Sequence, residues 1–189
     1  MKIIFSGDAP GATGSWGVCE ASDGRIYFGS YVNGGLYRFD PDKEKIETLF
    51  ENMPNAKFIF SLDADDENNI YGGTWPNCAV FKYNGSNECL DFYDEKIVPT
   101  EDYVRLVLYN RDRRSLYASI SAHSHIIEYR EGEGPVKDIF PSEYSNEPFA
   151  RIFGFHKNKL YTYMSLSSEM IAIDIDSGDI VDRIKCPGE

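Results

Sequence analysis

The sequence predicts an all-β chain of four consecutive four-stranded antiparallel units, and three observations carry that prediction. The first is a period: apolar-Tyr pairs fall at Ile26-Tyr27, Ile70-Tyr71, Leu116-Tyr117 and Leu160-Tyr161, spaced 44, 46 and 44 residues apart. The second is an independent anchor in the same register: LYRFD at 36–40, VFKYN at 80–84, IIEYR at 126–130 and MIAID at 170–174. The third is composition, with 13 Tyr and 12 Phe among 189 residues and 42% hydrophobic residues, which is enough for a real core and biased toward strand formers. A fixed period of this size points to a β-propeller, whose blades are four-stranded sheets with short protected edges. A β-sandwich would not repeat two anchors in register, and a β-solenoid would not join its strands by tight hairpins.

Within the first unit the strands are SWGVCEA, RIYFGSY, GLYRFD and KIETLF, short apolar or alternating runs bounded by turn formers. Asp23-Gly24 joins the first two, because Gly supplies the positive φ that a tight hairpin needs. Asn68-Asn69, the RDRRS run at 111–115 and Lys157-Asn158 stand at the corresponding place in the later units. DPDKEK, NGSNE, REGEG and DSGD link third strands to fourth strands. The predicted blades span about 14–50, 58–93, 103–140 and 149–185.

The start of the chain, KIIFSGDAPGATGSW, aligns with IETLFENMPNAKFIF, so that Pro10 matches Pro54, Ala12 matches Ala56 and Trp16 matches Phe60. Residues 2–5 are therefore predicted to form one extra outer strand. The fourth unit already has its own outer strand at 180–184, so the count does not close on a four-bladed ring. An incomplete ring follows, either part of a larger propeller or one that self-associates through its open edges.

Lys and Arg total 19 against 31 Asp and Glu, a net charge of −12 that repels nucleic-acid backbones and argues against that partner class. No apolar run approaches a membrane span and the N-terminus lacks a signal-peptide core, so no membrane association and a cytoplasmic location are expected. Cys19, Cys78, Cys89 and Cys186 show no CxxC spacing and read as free structural thiols.

GSWGVCEASDGRIYFGSY and NNIYGGTWPNCAVFKYN resemble blade repeats of the virginiamycin B lyase and SMP-30/gluconolactonase-like propellers, through the pattern D-G-x-I-Y-x-G-[ST]. The resemblance covers all four units and implies the fold. It carries over no metal-ligand or catalytic position, and function does not follow from fold.

The loops between second and third strands, together with the links between blades, share one face of a propeller, where sequence variety over a rigid frame points to binding. Arg105 in YVRLV and Arg151 in FARIF occupy one repeat position at the entry to the innermost strand, and two guanidinium groups there suit a carboxylate. Tyr31 and Asn33, with Trp75 and Asn77 one repeat later, line the same loop face. Tyr31 and Trp75 either stack on a sugar or peptide or pack between blades.

His123 and His125, at i and i+2, would point the same way on an extended chain and offer two ligands to a divalent metal, with no third identifiable; ordinary loop histidines are the plainer account. Asp63, Asp65, Glu67 and Asn69 alternate oxygens as a calcium loop does, but on the hairpin face, without the Gly and terminal Glu of such loops, and read as a solvated acidic turn. No GxSxG or Walker loop is present. The function expected is a propeller binding scaffold that recognises a small anionic or carbohydrate ligand, or a protein partner, on the loop face. The alternative is a carbohydrate- or lactone-acting lyase or hydrolase with a metal-assisted site at the propeller mouth.

Overall fold

A computed structural model of the chain describes residue 7 and residues 9–186, with the side chain of residue 153 excepted. Among the described residues sixteen strands form four antiparallel sheets, each in sequential order. The first contains β1 (Ser15–Glu20), β2 (Ile26–Ser30), β3 (Leu36–Asp40) and β4 (Lys45–Phe50), and the second β5 (Phe58–Ala64), β6 (Ile70–Trp75), β7 (Val80–Asn84) and β8 (Cys89–Asp94). The third contains β9 (Tyr103–Asn110), β10 (Ser115–Ser121), β11 (His125–Arg130) and β12 (Gly134–Asp138). The fourth contains β13 (Ala150–His156), β14 (Lys159–Met164), β15 (Glu169–Asp174) and β16 (Ile180–Lys185). The first strands β1, β5, β9 and β13 lie against one another in that order and make the inner wall, and the sheets do not close into a ring. The extra strand expected at 2–5 lies outside the described residues.

The repeat is visible in backbone conformation as well as sequence. Positive φ recurs at one place in the first hairpin of three blades, at Gly24 (79°), Asn68 (63°) and Arg114 (51°), and one residue earlier in the fourth, at Lys157 (54°). Only the first blade uses the residue that accepts this conformation freely; the others force it on side chains that tolerate it less well.

Three apolar clusters fill the three junctions between neighbouring blades. The repeat tyrosines Tyr27, Tyr71 and Tyr117 are buried and face the next blade, meeting Tyr83 at 6.2 Å, Tyr109 at 4.3 Å and Phe155 at 5.0 Å between ring centroids. Burying a side chain of this kind is worth ~1.5–3 kcal/mol, which explains why the apolar-Tyr anchor is the strongest signal in the sequence. Polar contacts stitch the same junctions: the Val107 and Tyr109 N–H groups donate to Ser61 Oγ and Asp63 Oδ2 at 3.1 and 2.7 Å, and Ser119 Oγ donates to the Ala150 carbonyl at 2.5 Å. Near the hairpin ends, Arg38 joins Glu47 of its own blade at 2.7 Å and Glu88 of the second at 2.9 Å. Lys82 reaches Glu131 of the third blade at 3.1 Å, and Arg113 pairs with Asp176 of the fourth.

Candidate functional site

Each inner strand carries a bulge near its start. Two residues, Trp16 and Gly17, oppose Gly29 between the Ser15–Ser30 and Val18–Phe28 pairs, while Phe60 is skipped between Ile59 and Ser61. Arg105 is skipped between Val104 and Leu106, and the break in the fourth blade comes later, between Ile152 and Gly154. A bulge bends the strand and re-aims the extra side chain, and here it serves Trp16, Phe60 and Arg105, whereas Arg151 precedes the break and pairs in register with Tyr163. Trp16, Phe60, Arg105, Phe149 and Arg151, with Leu106 and Ile152, line a groove of about 790 Å³ across the inner wall.

Most of one side of that groove is aromatic. Trp16 lies 5.2 Å from Phe60 and 6.0 Å from Tyr31, and Phe60 lies 5.8 Å from Tyr103. Behind them Phe58 stacks with Tyr31 at 4.2 Å and with Trp75 at 4.8 Å, and Trp75 lies 5.4 Å from Tyr103. Tyr31 and Trp75 thus support the lining, while Trp16, 63% exposed, presents its ring to solvent.

Two cations stand at the other end. The Arg105 guanidinium lies 4.8 Å from the Tyr103 centroid, 5.2 Å from Phe60 and 5.4 Å from Phe149, and its Nε donates to Ser121 Oγ at 3.1 Å. Arg151, exposed, lies 5.4 Å from Phe149. Among the described residues neither arginine has a carboxylate within ion-pair distance, in a chain carrying −12. Lys57 adds a third positive charge behind the groove, 5.7 Å from the Trp75 ring. A guanidinium held over an aromatic face keeps N–H donors for other partners.

The two asparagines take another role. Asn33 Oδ1 accepts from Ser30 Oγ, and its amide donates to the Glu51 carbonyl at 2.9 Å. One repeat later Asn77 Oδ1 accepts from Thr74 Oγ1 at 2.6 Å, and its amide donates to Tyr93 Oη at 2.5 Å. Both side chains brace their loops against the link to the next blade.

The histidine pair expected to share an ion is divided. Strand β10 ends at Ser121 and β11 starts at His125, so His123 stands on a turn, where the i, i+2 rule for a strand fails. His123 Nδ1 meets Glu101 Oε1 at 2.7 Å and His125 Nδ1 meets Asp138 Oδ2 at 2.6 Å. Burial pushes the Glu101 carboxyl up, but hydrogen bonds from the His123 side chain and from the backbone outweigh it and hold the group below its ordinary value. Among the described residues no three His, Cys, Asp or Glu side chains gather as a metal site requires.

Nor does the acidic hairpin form a calcium loop. Asp65 Oδ1 accepts from the Glu67 and Asn69 N–H groups, both at 2.9 Å, and its Oδ2 accepts from Tyr71 Oη at 3.1 Å, so it caps its own turn. All four cysteines are free, and burial pushes the Cys19 thiol to about 12 and the Cys78 thiol to about 11, far from reactive thiolates. Among the described residues no helix is long and apolar enough to cross a membrane.

Trp16, Phe60, Tyr103 and Phe149 went unnoticed as site residues. The match of Trp16 to Phe60 in the repeat was the available signal, since both fall at the bulge.

No protein-family model matches the sequence, and no curated protein matches it. Solved structures do. The chain is similar to the β-propeller domain of Cps50 (Swd1) from Myceliophteria thermophila, with 14% identity and a TM-score of 0.72 over 92% of this chain and 55% of that one. It is similar to Kuenenia stuttgartiensis hydrazine synthase, with 14% identity and a TM-score of 0.73 over 97% of this chain and 52% of that one. Virginiamycin B lyase from Staphylococcus aureus matches with 12% identity and a TM-score of 0.60, over 93% of this chain and 71% of that one. These likenesses establish the propeller fold, including its resemblance to the lyase propellers, and the chain spans about half the length of the first two.

Proposed function

We propose that the chain is a propeller binding scaffold whose inner groove takes a small ligand that joins a carboxylate to a ring, of the uronic-acid type. The observation that carries this reading is the pair of guanidinium groups, Arg105 and Arg151, at the end of an aromatic wall and without a carboxylate partner among the described residues. An arginine that serves only the fold in so acidic a chain would be expected to hold an Asp or Glu, as Arg38 and Arg113 do. Each guanidinium offers a planar pair of donors that fits a carboxylate, worth ~1.5–3 kcal/mol for a charge-assisted bond. The exposed face of Trp16, backed by the buried ring of Phe60, suits the apolar side of a sugar.

The long-range field of the protein opposes an anion, but charges farther than a Debye length of ~8 Å are screened, and the short-range contacts dominate. Tryptophan fluorescence provides the test, because Trp16 lines the groove and Trp75 backs it. Titration with uronic acids should change the emission saturably, and replacing both arginines with Lys should weaken the response while keeping the charge. A response unchanged in the double Lys variant, or none to any acid, would remove the anion site.

A further inference from the structure

We infer that the two free ends of the blade array are the two halves of one interface, and that a second copy of this chain covers them, head to tail, in a closed eight-bladed ring of two copies. The inference is independent of the groove's ligand. It rests on the junction that the chain builds three times within itself. On the entering side of each junction stands one aliphatic residue of the inner strand: Leu62, Val107 and Ile152, which are 6%, 2% and 5% exposed. Their cross-strand partners are Gly72, Ala118 and Thr162, and Val18, paired with Phe28, holds the same place in the first blade. Val18 is 60% exposed.

The leaving side shows the converse. Tyr27, Tyr71 and Tyr117 are buried against the following blade, whereas their equivalent Tyr161, on the last blade, is only half-buried.

Volumes at the closest approach match as well. Gly29 faces Ile59, where an added Cβ would come within 2.4 Å of that side chain, and Gly73 faces Val104, where it would come within 2.3 Å. In the third junction Ser119 bonds to Ala150. As the leaving residue grows from Gly to Ser, the entering residue shrinks from Ile or Val to Ala. The free tail carries Tyr163 at this position and the free head carries Ser15, which continues the exchange to its large-against-small extreme. Close packing rewards that complementarity, and an isologous pairing of two heads or two tails would put small on small or large on large.

A heterologous contact closes into a ring only when its rotation fits. The chain covers 55% of the Cps50 (Swd1) β-propeller domain, so two copies span about one such domain. Closure would turn the open groove into a central channel.

Sedimentation of the full chain over a dilution series tests this. The expected result is a species of twice the chain mass that dissociates on dilution, with Val18→Glu and Tyr163→Asp each dissociating at a protein concentration at least about tenfold higher. Ser15→Arg, at an exposed polar position, repeats the head-side test without touching an apolar residue. Circular dichroism identical to wild type shows that the variants fold. Mixing Val18→Glu with Tyr163→Asp should restore part of the association, because one of the two junctions in such a pair is intact. A wild-type monomer at all concentrations, a mass that grows beyond two copies, or a pair indifferent to both head-side variants would overturn the inference.

Discussion

Arg105 and Arg151, one repeat apart in sequence, share one aromatic ring: each guanidinium carbon lies 5.4 Å from the centroid of Phe149. Two like charges gathered on one ring repel each other, and a bound anion relieves that repulsion. Carboxylate salts should therefore raise the thermal unfolding midpoint more than chloride does at equal ionic strength, since a ligand that binds only the folded state stabilises it by mass action. The difference should vanish in Arg105→Gln/Arg151→Gln. Equal midpoints in both salts for the wild type would show that the pair attracts no anion.

Phe149 should matter to binding chiefly through the arginines. A cation-π contact is worth ~0.5–1 kcal/mol at a partly exposed site, so Phe149→Leu, which keeps apolar volume, should weaken uronate binding about two- to fivefold. Calorimetric titration of the variant measures this directly, and an unchanged affinity would mean that the ring does not position either guanidinium.

Acid stability should depend on Glu101. Its folded-state pKa lies below the ordinary 4.5, so the carboxylate contributes stability that is fully present above that pH and is lost as pH falls through the folded value. Glu101→Gln should destabilise the protein by about 1–3 kcal/mol at neutral pH, through loss of charge-assisted bonds at a buried position. Denaturant midpoints should show the gap to wild type narrowing as the pH drops below about 4.5. A gap independent of pH would assign the effect to packing instead.

Much of the fold was legible because the chain repeats the physical requirement of each junction: a buried Tyr, a small residue beside it and a turn at fixed distance. Arg105 and Arg151 were legible for the same reason, as a shared repeat position. The aromatic wall was not. Phe58, Phe60, Tyr103 and Phe149 look like ordinary core residues in a chain this rich in aromatics, and only the bulges, which leave no fixed residue type behind, turn Trp16 and Phe60 toward the groove. Asn33 and Asn77 illustrate another limit. Their spacing revealed that they do one job, but whether that job faces a ligand or the neighbouring backbone depends on loop geometry. For His123 the spacing rule assumed a strand that ends two residues earlier.

Gly73 allows the closest approach between two blades, with Val104 Cγ1 2.3 Å from where a Cβ would stand. Gly73→Ala should cost about 1–3 kcal/mol by overpacking. Gly24→Ala, at φ +79° in open space, should cost less, since only backbone strain opposes it. Urea denaturation of the two variants ranks them, and the reverse order would mean that the junction has room to yield.

Val32, between Tyr31 and Asn33 on the loop face, holds φ at 88°, a conformation that strains a β-branched residue by ~1–3 kcal/mol. Val32→Gly should relieve part of that strain and, after the added unfolded-chain entropy, stabilise the protein by about 0.5–1 kcal/mol. Loss of stability in a thermal melt would show that the valine side chain, 54% exposed, makes a contact worth more than its strain.

The most direct measurement is calorimetric binding of a matched pair, a uronic acid and its neutral parent sugar, to the wild type and to Arg105→Ala/Arg151→Ala. The wild type should bind the acid at least about tenfold more tightly than the neutral sugar, as one charge-assisted bond supplies, and the double variant should lose that preference. Equal affinity for acid and neutral sugar in the wild type, or a preference that survives removal of both arginines, would contradict the account.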